Sequence, residues 1–287
     1  MPVQISVVIP TRDRTTALRR AIESVLRQSF EDFEVVVVDD GSADGACAAV
    51  QQLDPRIVVV RNDVALGPGG ARNRGVQNAT APIVAFLDDD DVWLPNKLST
   101  VMSCFSEYPD IGVVSHRVGQ LHTNVVTTGA VTVDHRPVRR FLLSQPPHLS
   151  GVVVRRELHR SNEFDETFAA SEDLDYLIRL ATVASFAFID GVYGCHGERI
   201  HNPSLIGVER RIEARRQLRA KHDALFDRRA DAFHLMRMGH LYRKAGRRSN
   251  ALAAFAKSAA RWPSLGYAWR GILLSSVPSR VAGRFVG

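Results

Sequence analysis

Cysteine is scarce: Cys47, Cys104 and Cys195 are the three in 287 residues, far apart and without a CxxC pair. That excludes a disulfide scaffold and a cysteine-based zinc site, and fits a reducing, cytoplasmic compartment. No apolar run approaches the roughly 18 residues a membrane span needs. Met1-Pro2-Val3-Gln4 sets no basic segment before the first apolar stretch, so no secretory signal is expected. No G-x-G-x-x-G follows that stretch. Pro10-Thr11-Arg12-Asp13-Arg14 stands there instead, which argues against a dinucleotide oxidoreductase and against the phosphate loop of a sugar nucleotidyltransferase. Acidic residues are absent after Asp231.

What is present has the balance of a globular protein, 45% hydrophobic and 24% charged. The net charge of +6 conceals an asymmetry. Through Leu205 there are 19 Lys and Arg against 26 Asp and Glu, a net of −7; the remainder has 18 against 5, a net of +13. A basic half points to an anionic partner such as a lipid surface, or to a solvated basic face beside an acidic domain. Nucleic acid is the weaker reading, because no recognised nucleic-acid-binding fold is visible. The expected division is a domain over 1–205 and a basic helical region over 206–287.

Apolar strands alternate with helices in the first part. Ile5 to Ile9, Glu34 to Val38, Ile57 to Val60 and Ile83 to Leu87 read as unbroken apolar strands; Thr16 to Gln28, Ala43 to Leu53 and Ala71 to Ala79 read as helices. Gly67 to Gly70 reads as a loop. Shorter strands are expected at Val113–Ser115, Val125–Thr127, Val131–Val133, Gly151–Val154 and Phe186–Val192, and a helix from Ser171 to Leu180. The pattern predicts an α/β fold, a mostly parallel sheet covered by helices, with ligands beyond the carboxyl ends of its strands. Three of those ends carry Pro10-Thr11, Asp39-Asp40 and Asp88 to Asp91.

Four consecutive aspartates at a strand end repel one another unless a cation neutralises them. Mg²⁺ or Mn²⁺, with one or two carboxylates and phosphate oxygens, suits such a cluster. The D-x-D-x-D-G spacing of an EF-hand is missing.

Five segments occur in a telling order: Val7-Val8-Ile9-Pro10-Thr11, Val38-Asp39-Asp40-Gly41-Ser42, Gly70-Ala71-Arg72-Asn73-Arg74-Gly75, Phe86-Leu87 with Asp88 to Asp91, and Ser171-Glu172-Asp173. From Ile5 to Ser204 the chain resembles the family 2 glycosyltransferases, inverting enzymes of the GT-A (Rossmann-like) fold that use nucleotide sugars. The resemblance implies a nucleotide pocket lined by Pro10, Thr11 and Arg12, with Asp40 on a uracil-type base, Arg72 facing the diphosphate, and Asp88 and Asp89 near the ribose or donor sugar. It implies a metal held by Asp90, with Asp88 and His196, His201 being the other candidate histidine. It implies Asp173 as the base that takes the acceptor's hydroxyl proton, with Glu172 as the second candidate. Phe164-Asp165-Glu166 resembles the segment before the base helix. His116, His122, His135 and His148 have no motif around them.

The function so implied is metal-dependent transfer from a nucleotide sugar, UDP-linked by preference, to a saccharide or lipid-linked acceptor in cell-envelope or extracellular polysaccharide synthesis. A non-catalytic binding protein using the basic region is the alternative. In that region Leu235, Gly239, Tyr242, Ala251, Phe255 and Pro263 fit the spacing of one tetratricopeptide-like hairpin. Trp262, Tyr267, Trp269, Ile272, Leu273 and Leu274, with Arg270, Arg280 and Arg284 and no acids, suit either that hairpin's core or a segment lying on anionic lipid at the inner face of the membrane. Oligomeric state is not encoded in any motif.

Overall fold

The computed structural model describes residues 2–45, 50–120, 129–134, 146–196 and 205–276. Cys47, the expected strand Val125–Thr127, His122, His135, His201, Arg280 and Arg284 lie outside them. The chain divides into two units. The first comprises 1–138, 147–167 and 175–200. The second comprises 139–146, 168–174 and 201–287.

The first unit is built on a nine-stranded sheet. Its strands are β1 (Ile5–Thr11), β2 (Phe33–Asp39), β3 (Ile57–Arg61), β4 (Ile83–Phe86), β5 (Asp91–Trp93), β6 (Ile111–Gln120), β7 (Val131–Asp134), β8 (Val152–Arg155) and β9 (Ser185–His196). The order is β3-β2-β1-β4-β8-β6-β9-β5, with β7 on β9. From β3 to β4 all neighbours are parallel. Beyond β4 the sheet is mixed: β8 is antiparallel to β4 and β6, β6 and β9 are parallel, and β5 and β7 are antiparallel to β9.

The parallel half follows from its sequence. Ile5 to Ile9 and Val35 to Val38 are fully buried on both faces, as strands covered on both sides must be. Thr11 pairs with Asp39, so β1 and β2 finish level, while β4 ends at Phe86 opposite Val8, three residues earlier, and the chain continues from there into the aspartates. Helix α1 (Thr15–Leu26) buries Leu18, Ile22 and Val25 against the core; each such side chain contributes about 1.5–3 kcal/mol.

Helix α2 runs Gly67–Asn78, so the glycine segment expected as a loop is its first turn. Pro68 needs no N–H partner there, and Asp40 accepts the N–H groups of Leu66 and Gly67 at 2.7 and 2.9 Å. Gly75 sets the helix on the sheet, since a Cβ there would lie 2.3 Å from Val8 Cγ1. That close seat places Arg72, one turn earlier, beside the strand ends.

Helices α3 (Lys97–Glu107), α4 (Arg156–Arg160) and α5 (Glu172–Leu180) follow. The expected strand ending at Val192 continues to His196, through register shifts against β6.

The second unit holds α6 (Leu205–Lys221), α7 (Arg228–Lys244), α8 (Arg248–Arg261) and α9 (Gly266–Ser276). Asp227 caps α7 by accepting from Arg229 N and Ala230 N. Phe255 is wedged between two glycines: a Cβ on Gly239 or Gly271 would come within 2.7 or 2.5 Å of its ring. The aromatics divide. Trp262 packs edge-on against Phe233, whereas Tyr267, Trp269 and Leu273 are exposed. Among the described residues no helix is long and apolar enough to cross a membrane.

Candidate active site

The acidic run joins the two halves of the sheet. The chain leaves β4 at Phe86, passes through the aspartates and enters β5 at Asp91, and β5 pairs with β9 at the opposite end of the sheet order. Arg14 is shared by Asp89 and Asp90, and Ser150 by Asp88 and Asp91.

Asp88 Oδ1 accepts from Arg72 Nη2 at 2.7 Å, and its backbone N–H donates to Ser150 Oγ at 3.1 Å. Burial would raise its pKa, but Arg72, His148 and Arg14 outweigh burial and hold it below the ordinary carboxylate value. Asp89 is buried; it accepts from Thr11 Oγ1 at 2.8 Å and Arg14 Nη1 at 3.0 Å. Burial is the larger effect there and pushes Asp89 up. Arg14 also reaches Asp90 at 3.1 Å. Asp91, buried, accepts from Ser150 Oγ at 2.6 Å, with His196 Nδ1 at 3.1 Å and His148 Nδ1 at 3.3 Å. Burial pushes its pKa up as well.

Two groups in this cluster have donor atoms within 4.8 Å of one another: Asp88, Asp90 and Asp91, and Asp91, His148 and His196. Oxygen and imidazole donors at that spacing fit a divalent ion.

Ser150 is held from below. Its carbonyl accepts from Trp93 Nε1 at 2.8 Å, and the fully buried Lys97 places Nζ 3.2 Å from the centre of the Trp93 ring. Lys97 Nζ has no hydrogen-bond partner, and burial pushes its pKa well below that of an ordinary lysine.

The structure thus brings Thr11, Arg72, Asp88, Asp89, Asp90 and His196 together. Pro10 lies beside Thr11 at the end of β1, and Arg12 follows, exposed. Asp40 is buried at the end of β2, with Oδ1 accepting from Asn62 Nδ2 and Leu66 N and Oδ2 from Gly67 N. Glu166, in the segment before the base helix, accepts from Asn73 Nδ2 at 2.9 Å. Arg14, Asp91, Ser150 and His148 are members that sequence reasoning missed. Arg14 and Asp91 lay within quoted motifs; nothing around His148 marked it.

Glu172 and Asp173 open α5 and are grouped with the second unit. Ser171 before them adopts a left-handed φ of 63°, uncommon for serine. Asp173 Oδ1 accepts from Leu174 N at 2.7 Å. Two arginines of the second unit sense its charge. Burial lowers Arg215 and pushes Arg237 down to about 10, while the Asp173 carboxylate opposes both shifts.

Residues 6–148 match the family described as glycosyl transferase family 2. A GalNAc(5)-diNAcBac-PP-undecaprenol beta-1,3-glucosyltransferase of Campylobacter jejuni is 32% identical over 176 residues, 59% of this chain and 57% of that one. The chain spans about half the length of the curated relatives it matches. Staphylococcus aureus TarS 1–349 in complex with UDP-GlcNAc superposes with a TM-score of 0.64 at 18% identity, covering 95% of this chain and 89% of that one. A mannosyltransferase from Pyrobaculum calidifontis, in complex with GDP-Man and Mn²⁺, gives 0.63 at 21%, covering 96% and 81%. These two show a shared fold.

Proposed function

We propose, from the match of residues 6–148 to glycosyl transferase family 2, that the chain transfers a sugar, with inversion, from a nucleotide sugar to a hydroxyl of a saccharide or lipid-linked acceptor. The observation that carries the reading is the acidic run at the strand ends, flanked by Arg72 and Arg14 on one side and by imidazoles on the other. UDP is the favoured nucleotide; the TarS structure with UDP-GlcNAc supports it at the level of fold. The relative from Campylobacter, named for a lipid-linked diphosphate acceptor, supports an acceptor of that class.

Each residue has a task that its surroundings support. Pro10, Thr11 and Arg12 line the nucleotide pocket. Asp40 accepts one N–H at Oδ2, so that oxygen keeps a lone pair for the imide N–H of a uracil. Arg72 presents its planar fork to the diphosphate while orienting Asp88. Asp89, tied to Thr11 and Arg14, fixes the pocket wall beside the donor. Asp88, Asp90, Asp91 and His196 would hold Mg²⁺ or Mn²⁺. When bound, that ion supplies positive charge to the departing nucleoside diphosphate. Asp173 takes the proton from the acceptor hydroxyl; Arg215 and Arg237 compensate its charge. Glu172 is the second candidate for that task.

The exposed Tyr267, Trp269, Arg270 and Leu273 on α9 suit a lipid surface carrying such an acceptor. Loss of liposome sedimentation on truncation after Asp231 would support this, and equal binding would refute it.

The primary test is a thermal-shift panel of UDP, GDP, TDP and CDP, each with Mn²⁺ and with EDTA. A shift with UDP that disappears in EDTA and in Asp90→Ala supports the reading. An unchanged shift in Asp90→Ala sinks the metal assignment, and no shift with any nucleotide sinks the donor site.

A further inference from the structure

The ligands implied by the family resemblance supply one imidazole, His196, to an otherwise oxygen-rich site. The fold supplies a second. His148 sits immediately before the short 3₁₀ turn Leu149–Gly151 and strand β8, and reaches the buried Asp91 57 residues earlier in the chain. The two imidazole rings are 4.6 Å apart and nearly perpendicular, at 80°. Their Nδ1 atoms lie 3.1 and 3.3 Å from the two separate oxygens of Asp91.

The Nδ1 atoms of both rings face the Asp91 carboxylate, so a cation seated between nitrogen and carboxylate would use the lone pairs of all three residues. The spacing is suitable: ligand bonds of about 2.1 Å separate adjacent donors by roughly 3.0 Å in an octahedron and 3.4 Å in a tetrahedron. The turn that carries His148 is also fixed in advance. Trp93 Nε1 holds the Ser150 carbonyl, and Ser150 Oγ holds both Asp91 and the backbone of Asp88, the kind of outer support that orients metal ligands.

We infer that His148 is a metal ligand, forming with His196 and Asp91 a two-imidazole, one-carboxylate set that makes this site select a first-row transition ion over Mg²⁺. The inference rests on the metal-site reading above. Imidazole nitrogen suits borderline transition ions, whereas Mg²⁺ keeps oxygen ligands and water. His148 thereby sets which ion is taken, while Asp88 and Asp90 provide the charge common to either ion.

The test uses the full chain, freed of metal, with Co²⁺ and Mg²⁺ as probes. Affinities come from calorimetry and ligation from the visible absorption of bound Co²⁺. Expected is tighter Co²⁺ than Mg²⁺ binding in the parent. His148→Ala and the milder His148→Gln should each weaken Co²⁺ by at least about tenfold, shift its absorption bands and leave Mg²⁺ affinity unchanged. Apo thermal midpoints matching the parent within a few degrees confirm that both variants fold. Unchanged Co²⁺ affinity and spectrum in both variants, with binding still lost in Asp90→Ala, overturns the role of His148 and leaves the metal site standing. No binding of either ion to the parent, alone or with UDP, overturns the metal site itself.

Discussion

The two halves of the sheet meet the same aspartates in different ways. The parallel half offers guanidinium and hydroxyl: Arg72 from the helix after β3, Thr11 and Arg14 from the end of β1. The mixed half offers Ser150 and two imidazoles, from the start of β8 and the end of β9. No histidine precedes His116 in the chain, so the parallel half contains none. Arginines pair with Asp88 and Asp89, whereas Asp91 has a hydroxyl and two imidazoles as neighbours. The guanidinium side of the acidic run carries fixed positive charge, and the imidazole side carries groups that can also donate a lone pair.

The largest effect expected lies outside both halves. Asp173→Asn should leave nucleotide binding intact and lower kcat by about 10²–10⁴, the usual contribution of a general base; equal turnover, measured by released nucleotide, would move the base to Glu172. Next, Asp91→Asn should sharpen the contrast. Burial raises the Asp91 pKa, so its ionised form costs stability above that pKa, and the cost fades as pH falls through it. At neutral pH the apo variant should therefore melt no lower than the parent while its metal-induced shift disappears. A lower apo midpoint with metal response retained would make Asp91 structural.

Acid should separate the halves. His116 and His159 are buried in the mixed half and its adjoining helix, and burial pushes them down to about 3 and about 4. With folded values below the ordinary 6.5, both add stability above pH 6.5 and lose it as pH falls towards those values. At pH 5 the loss is about 2 kcal/mol each. Hydrogen exchange at pH 5 should open β6 and β8 before β1 and β2, and His159→Phe should narrow the gap; uniform opening would erase the distinction. The smallest effect is Lys97→Met. A fully buried ammonium without a hydrogen bond is costly, and its cation–π contact with Trp93 offsets part of that. The substitution should raise stability by about 1 kcal/mol, or about 2–4 °C; a fall would show that the Trp93 contact outweighs burial.

The same contrast governs what could be read from sequence. Strands β1 to β4 are continuous apolar runs because both faces are covered, so they announce themselves, as do Asp88 to Asp91 after the last of them. In the mixed half Ser115 and His116 are buried in β6, and register shifts interrupt its pairing with β9, so periodicity stops short of His196. The α2 start was hidden because a remote carboxylate, rather than a local cap residue, satisfies its first N–H groups. His148 was illegible because its meaning comes from Asp91 and His196, which no local pattern links to it. Asp89 belonged to a legible motif, yet only the fold shows it turned into ion pairing with Arg14.

Asp40 carries a further consequence. A helix whose first N–H groups point outward with partial positive charge is a ready cradle for phosphate. Here the amides of Leu66 and Gly67 already face a full negative charge of the protein's own. The opening of α2 is therefore poorly suited to hold a diphosphate by its backbone. Under the proposed function, recognition of that group would then come from side-chain and metal cations, which would make it sensitive to salt and to chelators in a way that a backbone cradle would not be.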